Sequence, residues 1–444
     1  MLHPSTTCDT LRRQNTPAGN CWDAQQNGDR AMSESLSQRT GTLNRRNFLI
    51  TAAAAGLAEY SGPAVRSLSA ADPDASQVTV GKDRRLTVHK TEIPVLETPP
   101  ELLQQQITPL NLLFVRNNQP LENASTLRPF PLRGWEITIG GLVDSQRRID
   151  AESLTKMDQV DREMVLQCCG NGRSLFAQTV QAKGTQWTRG GMGNVRVTGV
   201  LLSTVLEKLG VRVGSRARYL TAGGKDHALP GKDDFEHSLP LDEVLQHSLL
   251  ALNMNGRPIP AVHGGPVRLM TPGFYGTMHI KWLTDLRFEA EETNNGNHIP
   301  RYRTPRSPIA PGTPITYTVA NSKACWRMKV KSVVLWPQPG AKLAARKQHI
   351  VRGVAFNDGS ARIESVLLST DRGQTWNTTR LEKPDSPYAW YRWTYNLKLR
   401  PGQHALWTRA VDRLGRSQPL QGSIHWNPSG YEWNGVEQIG IEAT

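Results

Sequence analysis

The sequence predicts an α+β protein, with a mixed α/β domain followed by an immunoglobulin-like antiparallel β-sandwich. Between residues 96 and 288, short apolar runs with strand character alternate with brief stretches of helical periodicity. Residues 294–320 are rich in Asn, Gly and Pro and are typical of an interdomain crossing. Beyond them, short alternating strands are separated by turn residues. We therefore predict a first domain over residues 72–310 and a sandwich over residues 311–444.

The composition agrees with a large globular protein that is rich in loops and strands. The chain has 444 residues, is 38% hydrophobic and 21% charged, and contains 38 glycines and 29 prolines. Its net charge of +14 is compatible with nucleic acid, an anionic membrane or an anionic small substrate. Because the 53 lysines and arginines are scattered and no zinc-finger or RNA-binding signature occurs, we predict no nucleic-acid partner.

Residues 1–71 are predicted to be a disordered leader that contains an export signal. Arg45 and Arg46 precede a short Ala-rich apolar stretch and a small-residue site at residues 69–71, the arrangement of a twin-arginine signal. An ordinary basic amphipathic helix is the alternative. The apolar stretch is too short for a stable membrane span. Since the twin-arginine route exports proteins that are already folded, we predict a periplasmic protein with a redox cofactor inserted before export.

The elements of the first domain follow from local periodicity. Residues 227–237 carry mixed charge and are predicted to be a solvated loop rather than a metal site. The glycine-rich residues 190–200 lack the strand-to-helix context of a nucleotide-binding loop. The predicted strands are residues 112–115, 135–143, 164–166, 218–222, 249–254 and 282–288, and the predicted short helices are residues 150–157 and 200–209.

A cysteine pair lies at the end of one of these strands. The apolar run at residues 164–166 stops at Cys168 and Cys169, which are followed by Gly-Asn-Gly, a sequence that tolerates tight turns. A buried structural cysteine, a catalytic nucleophile and a metal ligand are all compatible with this spacing. Arg173, five residues after Cys168, would favour the thiolate form of that cysteine.

The use of cysteine argues against a disulfide framework. Without the leader, the chain retains Cys168, Cys169 and Cys325, an odd number without framework spacing. The sequence contains no Cys-x-x-Cys-His motif and no iron-sulfur ligand series, and we predict no haem or flavin in this chain.

A second dense stretch covers residues 263–281. Its glycines allow the backbone to approach a flat ligand, and four side chains offer donors suited to phosphate and to carbonyl groups. A Gly/Pro-rich surface loop is the alternative. The four side chains are His263, Arg268, His279 and Lys281.

Together these segments resemble the sulfite oxidase family of molybdopterin-dependent oxidoreductases, and most of all its bacterial periplasmic sulfite dehydrogenases. The C-terminal sandwich resembles the dimerisation domain of the family, so the likeness covers nearly all of the chain after the leader. The matching segments occur in the family's order and are residues 114–117, 166–173, 263–268 and 276–282.

The resemblance implies a molybdopterin-binding catalytic domain of sulfite-oxidase type over residues 72–310. Cys168 would be the protein thiolate on molybdenum, and Arg116, Arg173 and Tyr302 would form the substrate pocket for a small oxyanion. The residues implied to bind the molybdenum-molybdopterin cofactor are Phe114, Val115, Arg116, Asn117, Asn118, Asp226, His263, Arg268, His279, Ile280 and Lys281.

The implied activity is oxidation of sulfite to sulfate by oxygen-atom transfer in a homodimer joined through the C-terminal domain. Electrons would pass to an external c-type cytochrome. Asn118 stands where the family usually has histidine, and Ser429 where the animal enzymes have an arginine. A different small substrate on the same cofactor, such as a sulfoxide, is therefore the first alternative. A cofactor-free exported binding protein is the second.

Overall fold

The structure is a computed structural model and describes residues 74–444. The predicted leader and its twin-arginine signal lie outside the described residues. No helix of residues 74–444 combines the length and apolar character needed to cross a membrane. The α-helices of this part of the chain are α1 (Ala75–Val78), α2 (Leu202–Lys208) and α3 (Leu241–His247).

Fifteen strands precede the C-terminal sandwich within the described residues. They are β1 (Thr87–Lys90), β2 (Val95–Glu97), β3 (Val115–Arg116), β4 (Glu136–Gly141), β5 (Arg147–Asp150), β6 (Val160–Gln167), β7 (Met192–Leu201), β8 (Tyr219–Gly224), β9 (Glu236–Pro240), β10 (Leu249–Met254), β11 (Arg257–Pro258), β12 (Arg268–Met270), β13 (Leu283–Glu289), β14 (Arg303–Pro305) and β15 (Ser322–Ala324).

Two five-stranded sheets form the framework of the first domain. One has the order β5-β4-β13-β8-β9, in which only β4 and β13 run parallel. The other has the order β11-β10-β7-β6, with β12 also pairing with β10. Ile137 and Ile139 of β4 alternate inward and are fully buried, and Val205 of α2 packs into the same core. A smaller sheet of β1, β2 and β3 carries Arg116 at its edge.

Strand β6 presents the cysteine pair, and its last four residues are buried. It pairs with β7 over its whole length, from Val160 opposite Gly199 to Gln167 opposite Met192. Gly199 is required because a Cβ there would lie 2.3 Å from the carbonyl oxygen of Leu250 on the neighbouring strand. The predicted strand before the cysteines is confirmed, and it begins earlier than the apolar run.

Nine strands form the C-terminal β-sandwich. Its two sheets have the orders β16-β18-β22-β21 and β17-β24-β23-β19-β20, with one apolar core between them. The predicted fold class is confirmed, whereas the immunoglobulin-like character of the sandwich stays a prediction. The strands are β16 (Lys331–Trp336), β17 (Lys342–Leu343), β18 (Gln348–Phe356), β19 (Ile363–Ser369), β20 (Asn377–Thr378), β21 (Arg380–Glu382), β22 (Tyr391–Lys398), β23 (Gly402–Asp412) and β24 (Glu437–Ala443).

Three local predictions differ from the structure. The predicted helix at residues 150–157 is a 3₁₀ helix, Ala151–Lys156, whose first turn is capped by the carboxylate of Asp150. The strand predicted at residues 112–115 is reduced to Val115–Arg116. The predicted solvated loop at residues 227–237 is wrong at its end, because His237 lies in β9 opposite Ala222 and is fully buried.

The predicted domain boundary at residue 310 lies in the loop between β14 and β15, and those two strands pair with each other. The boundary itself stays a prediction. The first domain and the sandwich are joined by buried polar contacts. The ammonium of Lys331 on β16 donates to the carbonyl oxygen of Asn171 at 3.1 Å and to that of Trp433 at 3.0 Å. The sandwich therefore helps to hold the loop that follows the cysteine pair.

Candidate active site

A cavity lies where the end of β6 meets β3 and the loop that precedes β13. It brings together most of the side chains that the sequence predicts for the site. The predicted site residues in its lining are Phe114, Arg116, Asn117, Asn118, Cys168, Asp226, His263, Arg268, His279, Lys281 and Tyr302. Arg173, Val115 and Ile280 lie outside this lining.

The loop after β6 turns sharply and places the Cys168 side chain in the cavity wall. The Cys168 amide donates to the carbonyl oxygen of Gly191 at 2.8 Å, and the Cys168 carbonyl accepts from the Asn171 amide at 2.9 Å. Gly172 follows with φ of +92°, and a Cβ there would lie 2.5 Å from the Trp433 ring. Because only glycine fits both constraints, the sequence Gly-Asn-Gly shapes this turn.

Three free cysteines of residues 74–444 meet at the cavity, and all three are buried. Cys168 and Cys169 line the cavity, whereas Cys325 does not. A hydrogen bond with Cys169 and then burial raise the pKa of the Cys168 thiol well above its ordinary value. The charges of Arg116 and Arg173 act in the opposite direction, in the sense that the sequence predicts, but they are outweighed. Coordination of a metal would therefore require Cys168 to lose its proton as the metal binds.

A strongly basic cluster lines the same cavity. The Lys281 ammonium donates to Asn117 Oδ1 and to the Val262 carbonyl oxygen, each at 2.6 Å. The Arg268 guanidinium donates to the carbonyl oxygens of His279 at 3.2 Å and His263 at 3.0 Å. Burial lowers the pKa of Lys281 well below that of an ordinary lysine and that of Arg268 to about 9. An anionic ligand would offset the cost of burying these charges, because it would stabilise the charged forms of Lys281 and Arg268.

Lys82 belongs to the same basic cluster and was not predicted. Its ammonium lies 2.8 Å from His263 Nε2 and donates to the carbonyl oxygens of Leu110 and Leu113, each at 2.5 Å. Burial lowers its pKa well below the ordinary value. No motif surrounds this lysine in the sequence, so only the fold reveals its position beside His263.

His279 presents an unused hydrogen-bond acceptor to the cavity. Its Nε2 lies 3.0 Å from the carbonyl oxygen of Phe274, which can only accept, so Nε2 carries the proton. Burial lowers the pKa of His279 to about 3, and the ring is therefore neutral at pH 7. Its Nδ1 is buried without a partner and would accept a hydrogen bond from a ligand with a polar edge.

These residues fit the molybdopterin cofactor. The cavity is lined by a thiol, by buried cations and by His279, whose Nδ1 has no partner within residues 74–444. A sulfur-ligated metal with a polar, phosphate-bearing organic group requires such a set. Gly264 brings the loop backbone close to this cluster, because a Cβ there would lie 2.5 Å from Lys281 Cγ. Within residues 74–444, no group of three or more His, Cys, Asp or Glu side chains is arranged to hold a metal ion.

Arg116 and Tyr302 lie together in the cavity lining. Arg116 donates to Asn118 Oδ1 at 2.7 Å and to the Tyr302 hydroxyl at 3.5 Å. Tyr302 has a φ of +52°, which is unusual for a bulky residue and is held here by packing against the Tyr431 ring. Burial raises the pKa of Tyr302 to about 12, so its hydroxyl is protonated and can donate a hydrogen bond at neutral pH.

The three predicted residues outside the lining have other contacts. Arg173 donates from Nε to the Ser429 carbonyl oxygen and from Nη1 to that of Thr185, each at 2.7 Å, and lies over the Tyr431 ring. Val115, the first residue of β3, packs in a separate apolar cluster. The carbonyl oxygen of Ile280 accepts from the Leu269 amide at 2.9 Å.

Two further residues near the site were not predicted. Trp187 is fully buried in the same apolar cluster as Cys168, and its indole N–H has no partner. Thr277 lines the cavity and lies 3.1 Å from Nε2 of the buried His237. Neither residue belongs to a recognisable motif, although the segment that contains Thr277 does match the family pattern.

Comparison with known proteins agrees with this site. Residues 126–297 match the oxidoreductase molybdopterin binding domain, and residues 322–442 match the Mo-co oxidoreductase dimerisation domain. Mitochondrial sulfite oxidase of Drosophila melanogaster is 29% identical over 364 residues, which cover 78% of this chain and 61% of the relative. The NAD(P)H nitrate reductase of Hordeum vulgare is 27% identical over 352 residues, which cover 73% of this chain and 38% of the relative.

A solved structure agrees as well. The sulfane dehydrogenase SoxCD of Paracoccus pantotrophus superposes with a TM-score of 0.67 at 25% identity, over 87% of this chain and 94% of that chain. The chain spans about three fifths of the length of the mitochondrial sulfite oxidases that it matches. Both family domains, the relatives and the matching architecture support one conclusion. The chain belongs to the sulfite oxidase family of molybdopterin-dependent oxidoreductases.

Proposed function

We propose that this protein is an exported molybdenum enzyme that oxidises sulfite to sulfate and passes the electrons to an external c-type cytochrome. One observation carries the proposal. A single cavity is lined by a buried thiol at the end of β6, a basic cluster and an arginine–tyrosine pair. The sulfite oxidases among its relatives support the choice of substrate.

Cys168 and the residues of the basic cluster would bind the cofactor. Cys168 would bond the metal, while Lys281, Arg268 and His263 would hold the phosphate-bearing organic part. Lys82 contacts His263, with its ammonium 2.8 Å from His263 Nε2. The bound cofactor would supply two-electron oxygen-atom transfer chemistry.

Arg116 and Tyr302 would bind the substrate. The Arg116 guanidinium would donate charge-assisted hydrogen bonds to a pyramidal dianion, and the protonated Tyr302 hydroxyl would donate one more. Arg173 contributes positive charge from just outside the cavity lining. The overall reaction is SO₃²⁻ + H₂O → SO₄²⁻ + 2 H⁺ + 2 e⁻, so two electrons and two protons must leave the site.

The remaining parts of the proposal rest on other features. The twin-arginine motif at residues 45–46 supports export to the periplasm. The absence of a haem-attachment motif from the sequence supports an external electron acceptor. The match of residues 322–442 to a dimerisation domain supports a homodimer.

A second substrate class is kept because the family includes nitrate reductases and because the substrate-side residues depart from the animal pattern. Asn118, which accepts from Arg116, and Ser429, whose carbonyl holds Arg173, are both near the residues proposed to bind substrate. The alternative is the same cofactor acting on a sulfoxide or on nitrate.

Two measurements on the purified full-length protein test the proposal. About one molybdenum per chain, measured by mass spectrometry of the metal, is expected, and none after correct maturation would exclude both enzyme functions. Sulfite-dependent reduction of cytochrome c is expected to saturate. Oxidation of a reduced dye by a sulfoxide or by nitrate, without sulfite oxidation, would instead support the alternative.

A further inference from the structure

A series of four hydrogen-bonded side chains leads from the cavity through the protein interior to the Glu292 carboxylate, whose side chain keeps a small exposure of 5%. The Thr277 hydroxyl, which lines the cavity, lies 3.1 Å from His237 Nε2. His237 Nδ1 lies 3.0 Å from His298 Nδ1, and His298 Nε2 lies 2.9 Å from a Glu292 carboxylate oxygen. We infer that these four residues form a proton relay that carries protons from the active-site cavity to solvent.

The relay residues are buried, so any of their polar atoms left without a partner would cost free energy. Both histidine side chains are fully buried, and the side chain of Glu292, which follows β13, is 5% exposed. Buried imidazoles need partners for both nitrogens, and here every imidazole nitrogen has one. Glu292 also accepts from the Arg303 guanidinium at 2.5 Å, which fixes its position.

The hydrogen bonds of the chain must all point in one direction. An ionised carboxylate can only accept, so the proton of neutral His298 lies on Nε2 and its Nδ1 is an acceptor. His237 must then donate from Nδ1, which leaves His237 Nε2 to accept from the Thr277 hydroxyl. Every donor therefore faces away from the cavity and towards Glu292.

The charge states agree with this direction. Although burial raises the pKa of Glu292, hydrogen bonds from His298 and Arg303 hold it at about 2. Burial lowers the pKa of both His237 and His298, so both rings are neutral at rest. The charged or titratable groups that face the two rings are Glu292, Arg303, Glu236 and the phenol of Tyr302.

The relay rests on the proposed function, since sulfite oxidation with water releases two protons in the cavity. A proton enters at Thr277 and displaces the hydroxyl proton onto His237 Nε2. The Nδ1 proton of His237 passes to His298 Nδ1, and the Nε2 proton of His298 passes to Glu292 and then to water. Atoms and charge balance, and each ring ends the transfer as its other tautomer, with the His237 proton on Nε2 and the His298 proton on Nδ1.

The relay lies next to the proposed substrate side. The His237 ring meets the Tyr302 ring edge-on, with 5.2 Å between ring centroids. A structural role for the histidines in supporting Tyr302 would therefore also affect substrate binding. The two roles differ in what they change, because a supporting role alters KM and a relay alters proton release.

The kinetic test uses the molybdenum-loaded enzyme with His237→Gln and His298→Gln, since glutamine retains hydrogen bonding but cannot relay a proton. We expect kcat to fall about tenfold or more, with unchanged molybdenum content, a KM for sulfite within twofold of wild type, and a larger solvent deuterium isotope effect on kcat. Imidazole should partly restore His298→Ala. His404→Gln is the matched control, because His404 lies in the sandwich and bonds only a backbone carbonyl oxygen.

Fully loaded glutamine variants with wild-type kcat and an unchanged isotope effect would overturn the relay. If either variant fails to fold, Thr277→Val and Thr277→Ser make the same comparison, because serine alone retains the hydroxyl. Nitrogen-15 NMR of labelled histidines in the wild-type protein adds a readout that needs no substrate. A proton found on His237 Nε2 would refute the relay, whereas absent sulfite activity in the loaded wild type would refute only the proposed function.

Discussion

The Arg173 guanidinium donates from Nε to the backbone carbonyl oxygen of Ser429, at 2.7 Å. This bond joins the cysteine loop of the catalytic part to a segment of the C-terminal sandwich. It leaves Arg173 beside the cavity instead of in its lining. The backbone of a residue after β23 therefore positions an arginine from the other part of the chain.

Gly430 is the first test of this arrangement. Its φ is +58°, and a Cβ there would lie 2.5 Å from Arg173 Cγ and 2.7 Å from Ala182 Cβ. We expect Gly430→Ala to displace Arg173 and to raise the KM for sulfite about tenfold, as the loss of one charge-assisted contact predicts. Molybdenum content should not change. Steady-state kinetics on the loaded enzyme measure both effects.

Gly415→Ala is the matched control for Gly430→Ala. Gly415 also has a positive φ, +76°, but a Cβ there would meet nothing within 4 Å. Gly415→Ala therefore introduces backbone strain without a steric clash. Equal values of KM in the two variants would show that the position of Arg173 does not matter for substrate binding.

Cys168→Ser is expected to abolish turnover and to leave the fold intact, because a hydroxyl is a poor ligand for a soft metal site but occupies nearly the same volume. Loss of sulfite-dependent cytochrome reduction, with an unchanged circular dichroism spectrum, would agree. Cys325→Ser is the control, since Cys325 is equally buried but does not line the cavity. Wild-type turnover in the Cys168 variant would overturn the assignment of the metal ligand.

Arg116→Gln is expected to act mainly on substrate binding. Arg116 contacts Asn118 and Tyr302 at the cavity wall, and loss of its charge should raise the KM for sulfite about 10- to 100-fold. Arg133→Gln removes the same charge at an exposed residue outside the cavity lining and should have little effect. A similar rise in KM in both variants would mean that the general positive field, rather than direct contact, binds sulfite.

The cofactor-free chain should become more stable as the pH rises from neutral to alkaline. Burial lowers the pKa of Lys82 and Lys281, so the folded chain binds fewer protons than the unfolded chain between the lowered and the ordinary pKa values. The free energy of unfolding then increases with pH over this range. A bound polyanion restores the charged lysines, and the loaded protein should show a weaker dependence.

Denaturant titrations of the cofactor-free and loaded protein at several pH values measure this difference. Lys82→Met should reduce the slope in the cofactor-free chain, because one of the groups responsible is removed. Equal slopes in the cofactor-free and loaded forms would contradict the assignment of the basic cluster to cofactor binding.

Asp226 should make cofactor retention depend on pH. Burial raises the pKa of Asp226 to about 7, so the side chain loses its proton near neutral pH. The carboxylate that forms above this pH repels an anionic group and can no longer donate a hydrogen bond. We expect the wild type to retain less molybdenum after dialysis at about pH 8 than at about pH 6, and Asp226→Asn to retain the same amount at both. A pH dependence that persists in the asparagine variant would exclude this role.

The sequence by itself determined the features that depend on local patterns. The apolar run before Cys168 and the Gly-Asn-Gly after it predict a strand that ends in a turn, and the structure has both. The alternating residues after position 348 likewise predict the strands of the sandwich. These predictions succeed because side-chain periodicity and backbone conformation at glycine are set by neighbours in the sequence.

Only the tertiary structure decided which distant side chains share an environment. Lys82 lies beside His263, 181 positions further along the chain, and Arg173 is held by Ser429, 256 positions away. His237 is placed in a charged stretch that looks solvated, yet strand pairing buries it between Thr277 and His298. Burial and hydrogen-bond partners of such residues arise from strand register and packing between segments, which no local pattern encodes.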